Sequence, residues 1–202
     1  SSYDKSVNRL EAKSFTKNNY IEHCSNSKQI IIIIGSQTCP HNSKDSLALK
    51  ILESYLSYGM SSLLFKVFRE NNGLTYDSGV FYPSRKFNAP FLVYLSVSER
   101  NASLTLNLLL SIWSDLLSKK ISEDELSLAK LKLNNSFLHH FRTSEDIIFR
   151  KVRLMSLGMD PFYDEKAKDL LEAITSKEIL TLTKRYLNYP CISVSGSKKV
   201  CK

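Results

Sequence analysis

Gly59-Met-Ser-Ser-Leu-Leu-Phe-Lys-Val-Phe-Arg-Glu-Asn-Asn-Gly-Leu-Thr-Tyr76 reads as a short helix that stops at an Asn-Gly pair and drops straight into a strand. Leu64, Val67 and Phe68 fall at helical spacing between Ser61 and Asn71, Gly59 stands ahead as a break, and Ser61 or Ser62 is available as N-cap. Asn72-Gly73 suits a left-handed or turn conformation, and the residues after it alternate as a strand does. The chain therefore reverses here. Leu74 and Tyr76 are expected on one face of the strand and Arg69 on the last helical turn, so two side chains seven residues apart in sequence should become neighbours. A guanidinium and a phenol so placed would aim two donors at one target.

On the N-terminal side, residues 1–27 are polar and without sustained periodicity, a linker or edge segment in which Asn8 to Phe15 could add one edge strand. Lys28 to Gly35 holds five consecutive isoleucines, a fully buried strand by length and branching, and Ser43 to Ser57 follows as a helix. After the strand from Leu74 to Tyr82, the turn residues around Pro83 to Ala89 lead into an adjacent antiparallel strand, Pro90 to Ser98. Residues 101–118 are apolar almost all round, with Leu104, Leu108, Ile112, Trp113 and Leu116, which predicts a deeply sandwiched helix with Trp113 in the core. Ser122-Glu-Asp-Glu125 is a capping box for a helix to about Arg142. Thr143 or Ser144 opens the next, Asp160-Pro161 another, Thr175-Ser-Lys-Glu178 the last, and Cys191 to Ser195 closes the chain as a strand. This order predicts an α+β fold, a largely antiparallel sheet with helices packed on one face, in a single domain spanning residues 28–202.

A chain of 202 residues with 43% hydrophobic content can bury a full core. No apolar run reaches the roughly 18 residues a membrane span needs, and the N-terminus lacks a signal-like apolar stretch, so no membrane partner is expected. The net charge of +8 would suit an acidic partner, but the lysines and arginines are dispersed among acids on helix faces and no nucleic-acid motif accompanies them. Cys24, Cys39, Cys191 and Cys201 form no C-x-x-C pair and are expected as free thiols of a reducing compartment, the cytoplasm or an organelle matrix. His23, Cys24, Cys39 and His41 match no common zinc spacing, and a flexible polar loop explains them as well. His139 and His140 lie about 100° apart on a helix and cannot share a partner; one is read as capping a carbonyl and the other as solvated.

The segment Gly59 to Tyr76 resembles the C-terminal-type, non-catalytic domain of the pitrilysin and insulinase family of zinc metallopeptidases, above all its bacterial branch similar to mitochondrial processing peptidase. There G-x-S-S-x-L-F-x-x-x-R-E-x-x-G-L-x-Y recurs, matched here by Gly59, Ser62, Gly73 and Leu74 around Arg69 and Tyr76. At Leu63 the family usually carries an arginine. The resemblance covers roughly residues 28–196 and implies that Arg69 and Tyr76 are substrate-binding, holding the carbonyl oxygens of a peptide.

The family's catalytic signature is H-x-x-E-H, two imidazoles that help hold zinc and a glutamate that activates water. None of the four histidines here stands in that spacing, so no catalytic residue, no metal and no cofactor are expected in this chain. By resemblance, zinc belongs to a partner, an H-x-x-E-H domain or subunit that this half closes over, and activity from this chain alone is not expected. The resemblance also favours a piece of a longer protein. Its alternative implication is an inactive scaffold or interaction subunit, as in the family's respiratory-complex core proteins.

Overall fold

The computed structural model describes residues 16–25, 27, 29–138 and 143–197. Five strands form one mixed sheet in the order β1-β5-β2-β4-β3: β1 (Asn19–Ser25), β2 (Gln29–Gln37), β3 (Thr75–Phe81), β4 (Pro90–Ser98) and β5 (Cys191–Ser197). β2 pairs antiparallel with β4 and β5, and β3 antiparallel with β4; β1 alone pairs parallel, with β5. The helices are α1 (Ser46–Ser57), α2 (Ala102–Ser118), α3 (Glu123–Leu138), α4 (Ser144–Ser156), α5 (Tyr163–Ala173) and α6 (Ser176–Tyr186), with a 3-10 turn at Glu99–Asn101 and a π-helical segment at Phe65–Glu70. The expected α+β class, with a largely antiparallel sheet in a single domain, holds.

β2 is central, and its isoleucines divide by parity. Ile30, Ile32 and Ile34 are fully buried against the helical layer together with Phe91, Val93, Leu95 and Val194. Ile31 is 45% exposed on the other face, so the strand expected to be buried on both sides is covered on one. Five β-branched residues in a row suit any strand; only the cover decides which are inside. Each fully buried Ile or Phe contributes about 1.5–3 kcal/mol of apolar burial, and these residues form one continuous core.

The helix expected to be sandwiched is also one-sided. α2 buries Ala102, Thr105, Leu109, Trp113 and Leu116, a stripe at helical spacing, while Leu104 is 52% exposed because no element covers its outer face. Trp113 lies in the core, its indole N–H donating to the Leu187 carbonyl at 3.0 Å. Buried hydroxyls tie helices together: Ser54 Oγ donates to the Ala129 carbonyl between α1 and α3, and Thr183 Oγ1 to the Leu116 carbonyl between α6 and α2.

The Ser122–Glu125 and Thr175–Glu178 boxes form as the sequence predicts, and Thr143 makes a third with Asp146. Asp160 caps the turn before α5, accepting from the Phe162 N–H, so that helix starts at Tyr163 instead of at Pro161. Within the stretch read as linker or edge segment, Asn19–Ser25 forms β1, because the open edge of β5 offers backbone partners whatever the side chains. Asn8 to Phe15 lies outside the described residues, as do His139, His140 and Cys201.

Candidate functional site

The segment that positions Arg69 and Tyr76 is built from two irregularities. The first is the helix. Phe65–Glu70 winds as a π-helix, with the Asn71 N–H donating five residues back to the Lys66 carbonyl at 2.9 Å. The sequence pattern predicts a regular amphipathic helix; Leu64 and Phe68 do enter the core, but the wider turn changes the phase of everything after Phe65. Neither serine caps the helix start with its side chain, and Ser62 is buried instead.

The turn that follows is set by glycine. Gly73 has φ +57°, a left-handed conformation that costs a Cβ-bearing residue energy, and a side chain there would meet nothing within 4 Å, so the requirement is purely conformational. With that turn made, the Gly73 N–H donates to the Arg69 carbonyl at 3.2 Å and the Leu74 N–H to the Phe68 carbonyl at 2.7 Å. Asn72 adds a side-chain bond to the Val67 carbonyl at 2.7 Å. Gly59, at φ +73°, makes the corresponding reversal after α1.

The second irregularity is a β-bulge. Thr75 pairs with Val97 and Asp77 with Ser96, which leaves Tyr76 with no partner on β4. An unpaired extra residue bends its strand and re-aims a side chain. Leu74 is buried and Tyr76 is 89% exposed, so the two do not share a face as simple alternation predicted. The bulge is held from inside by Thr75, whose buried hydroxyl is shared between the carbonyls of Ser96, at 2.7 Å, and Asp77, at 2.6 Å.

Arg69 and Tyr76 therefore leave one hydrogen-bonded junction, both exposed, and neither side chain makes a hydrogen bond or ion pair among the described residues. The Arg69 guanidinium rests over the Phe65 ring, 5.3 Å from its centroid, a contact that orients it without using its N–H donors. As the basic residue of the last turn, Arg69 also sits where the helix dipole favours positive charge. Five guanidinium donors and one phenol O–H are free to serve an acceptor-rich ligand such as an extended peptide backbone. Thr75, the π-turn and the bulge were not anticipated from the sequence; Thr75 stands in plain view inside Leu-Thr-Tyr, but nothing in a single sequence marks a bulge.

The other candidate groups do not assemble into a site. His23 and Cys24 lie on the edge strand β1, whereas Cys39 and His41 stand in the connection between β2 and α1 with their side chains buried instead of facing solvent. Among the described residues, no three His, Cys, Asp or Glu side chains gather to hold a metal, and Cys39 and Cys191 are free thiols. No helix there is long and apolar enough to cross a membrane.

Residues 4–133, a span that includes the whole of the Gly59–Tyr76 junction, match the family described as the peptidase M16 inactive domain. The chain belongs to that family. An M16 inactive domain from Pseudomonas fluorescens superposes with a TM-score of 0.83 at 18% identity, covering 94% of this chain and 45% of the other. A protease from Helicobacter pylori gives 0.82 at 14% identity, covering 93% and 46%. A chain of complex III2 from Candida albicans, bound to Inz-5, gives 0.73 at 14% identity, covering 92% and 47%. At these identities the likeness is one of fold, and the M16 domain seen here spans about half the length of each of those three chains. No curated protein matches it by sequence. Membership in an inactive-domain family accords with a sequence that carries no H-x-x-E-H.

Proposed function

We propose that this M16 domain is the non-catalytic, substrate-gripping half of a zinc-dependent metalloendopeptidase. It closes a chamber with an H-x-x-E-H domain or subunit, which holds the zinc, and binds peptide carbonyls through Arg69 and Tyr76. The observation that carries this reading is the bulge at Tyr76: a strand gives up a pairing position, a buried threonine secures the defect, and the phenol stands almost fully in solvent just past the turn that follows the exposed Arg69. Support also comes from the lengths of the relatives, each with room for a second domain of similar size, and from the Helicobacter pylori chain, which is a protease.

Each hydrogen bond made this way to a peptide carbonyl contributes about 1–3 kcal/mol once water is excluded. The test is peptide hydrolysis by the assembly that contains this chain and its H-x-x-E-H half. Loss of activity in Arg69→Ala and Tyr76→Phe, with the fold intact, supports the proposal. Wild-type turnover in both variants, or no gain when the halves are mixed, would instead favour the scaffold reading that the likeness to complex III2 suggests.

A further inference from the structure

On the helical side of the molecule, a cavity of about 180 Å³ opens between α1, the end of α3, α4 and the start of α5. A water needs about 10–15 Å³ on that scale, so the space admits a small solute. Its wall brings together Lys50, Arg150, Arg153, His41, Ser84 and Tyr163.

Two of the three cations are already matched. Lys50 donates to Glu53 and to the Tyr82 carbonyl, each at 2.8 Å, and Arg150 makes a two-point bond to Asp164 at 2.6 and 2.8 Å. Arg153 has no acidic partner among the described residues, so the wall keeps about one positive charge. Beside it stands His41, only 8% exposed, with neither ring nitrogen hydrogen-bonded. A buried imidazole with nothing to bond to is unusual, because each unmade bond leaves the desolvation of a polar atom uncompensated. Burial first, then the positive charges of Lys50, Arg150 and Arg153, hold it neutral with a pKa lowered to about 4, opposed only by Asp164. The groups that act on the imidazole are thus the groups that line the cavity or pair with its lining.

We propose that this cavity binds a small oxyanion, a phosphate or carboxylate group, with the Arg153 guanidinium as its charged contact and His41 taking up a proton when the anion arrives. The ring nitrogens have no exposed surface of their own, so the imidazole responds to the anion's charge while Arg153 makes the contact. An added negative charge works against the positive field that, after burial, keeps His41 neutral, and the protonated ring then becomes part of the site's attraction. Glu53, Tyr58 and Tyr163 are the remaining titratable groups around the space; burial raises the pKa of each and keeps both tyrosines protonated near neutral pH.

Calorimetric titration of the full chain with inorganic phosphate, and separately with acetate, at fixed ionic strength in buffers of different ionisation heat, tests both parts. The expected result is saturable binding of at least one anion with a buffer-dependent heat that reports proton uptake, weakened about tenfold or more in Arg153→Gln. His41→Asn should bind without the proton uptake; if that variant does not fold, the imidazole nitrogen shifts of His41 in the wild type must move on adding the anion. Phosphate alone or acetate alone binding would name the anion. Binding of neither, equal binding by Arg153→Gln, or proton uptake that survives in His41→Asn would overturn the proposal.

Discussion

Thr75 Oγ1 lies 2.7 Å from the Ser96 carbonyl oxygen, across the bulge that turns Tyr76 outward. One buried hydroxyl thus links the ladder of β3 and β4 to the outward display of the Tyr76 phenol. Thr75→Val keeps the shape and removes the donor. Denaturant unfolding should show a loss of about 1–3 kcal/mol, the cost of leaving buried carbonyls unserved, and peptide binding by the proposed assembly should weaken although neither Arg69 nor Tyr76 has changed.

Arg69→Ala and Tyr76→Phe should leave stability within about 0.5 kcal/mol of wild type, since both side chains are exposed and unbonded. In the proposed peptidase assembly each should lower kcat/KM about tenfold or more. The double variant should fall short of the product of the two effects if both side chains hold the same peptide. Steady-state kinetics on the three variants reads this directly.

Gly73→Ala isolates the turn. Its Cβ would meet no atom, so the cost is that of φ +57° alone, about 1–2 kcal/mol by denaturant unfolding. Gly79→Ala is the contrasting case. Its Cβ would come within 2.7 Å of the Tyr94 hydroxyl and 2.9 Å of the ring, so crowding against a neighbour adds to any backbone term.

Acid should destabilise the fold through His41. Its folded pKa, about 4, lies below the ordinary 6.5, so the unfolded chain binds the extra proton. The contribution is whole above about pH 6.5 and is lost as pH falls toward 4, in total about 3 kcal/mol. Buried Glu53, whose carboxyl is raised, acts in the opposite sense over part of that range. The measurement is therefore the difference in unfolding free energy between wild type and His41→Asn from pH 7 to pH 4, which should shrink as the pH falls. A constant difference would show that His41 does not titrate as its surroundings dictate.

Much of this architecture was legible in the residues. Helical spacing, three-residue capping boxes and turn glycines are local signals, and Ser122, Thr175, Gly59 and Gly73 act where those signals put them. Arg69 and Tyr76 were visible as a motif, and the structure places both in solvent at one junction. What failed depended on distant partners. The isoleucines of β2 and the outer face of α2 look fully buried until one asks which layers exist to cover them. β1 is a strand because of β5, more than 150 residues away, and the bulge exists because β3 and β4 slip by one position. His41 was weighed as a metal ligand or as part of a flexible polar loop, since no spacing rule announces a buried imidazole facing cations.

The side-by-side run of β1 and β5 also sets how the domain carries load. The polypeptide enters β1 at Asn19 and leaves β5 from Ser197, at opposite ends of a parallel pair. Tension drawn between the two flanks would slide the strands past each other lengthwise, so the ladder bonds share the strain together instead of opening one after another like a zip. A pull applied between Asn19 and Ser197 would therefore meet the whole seam at once.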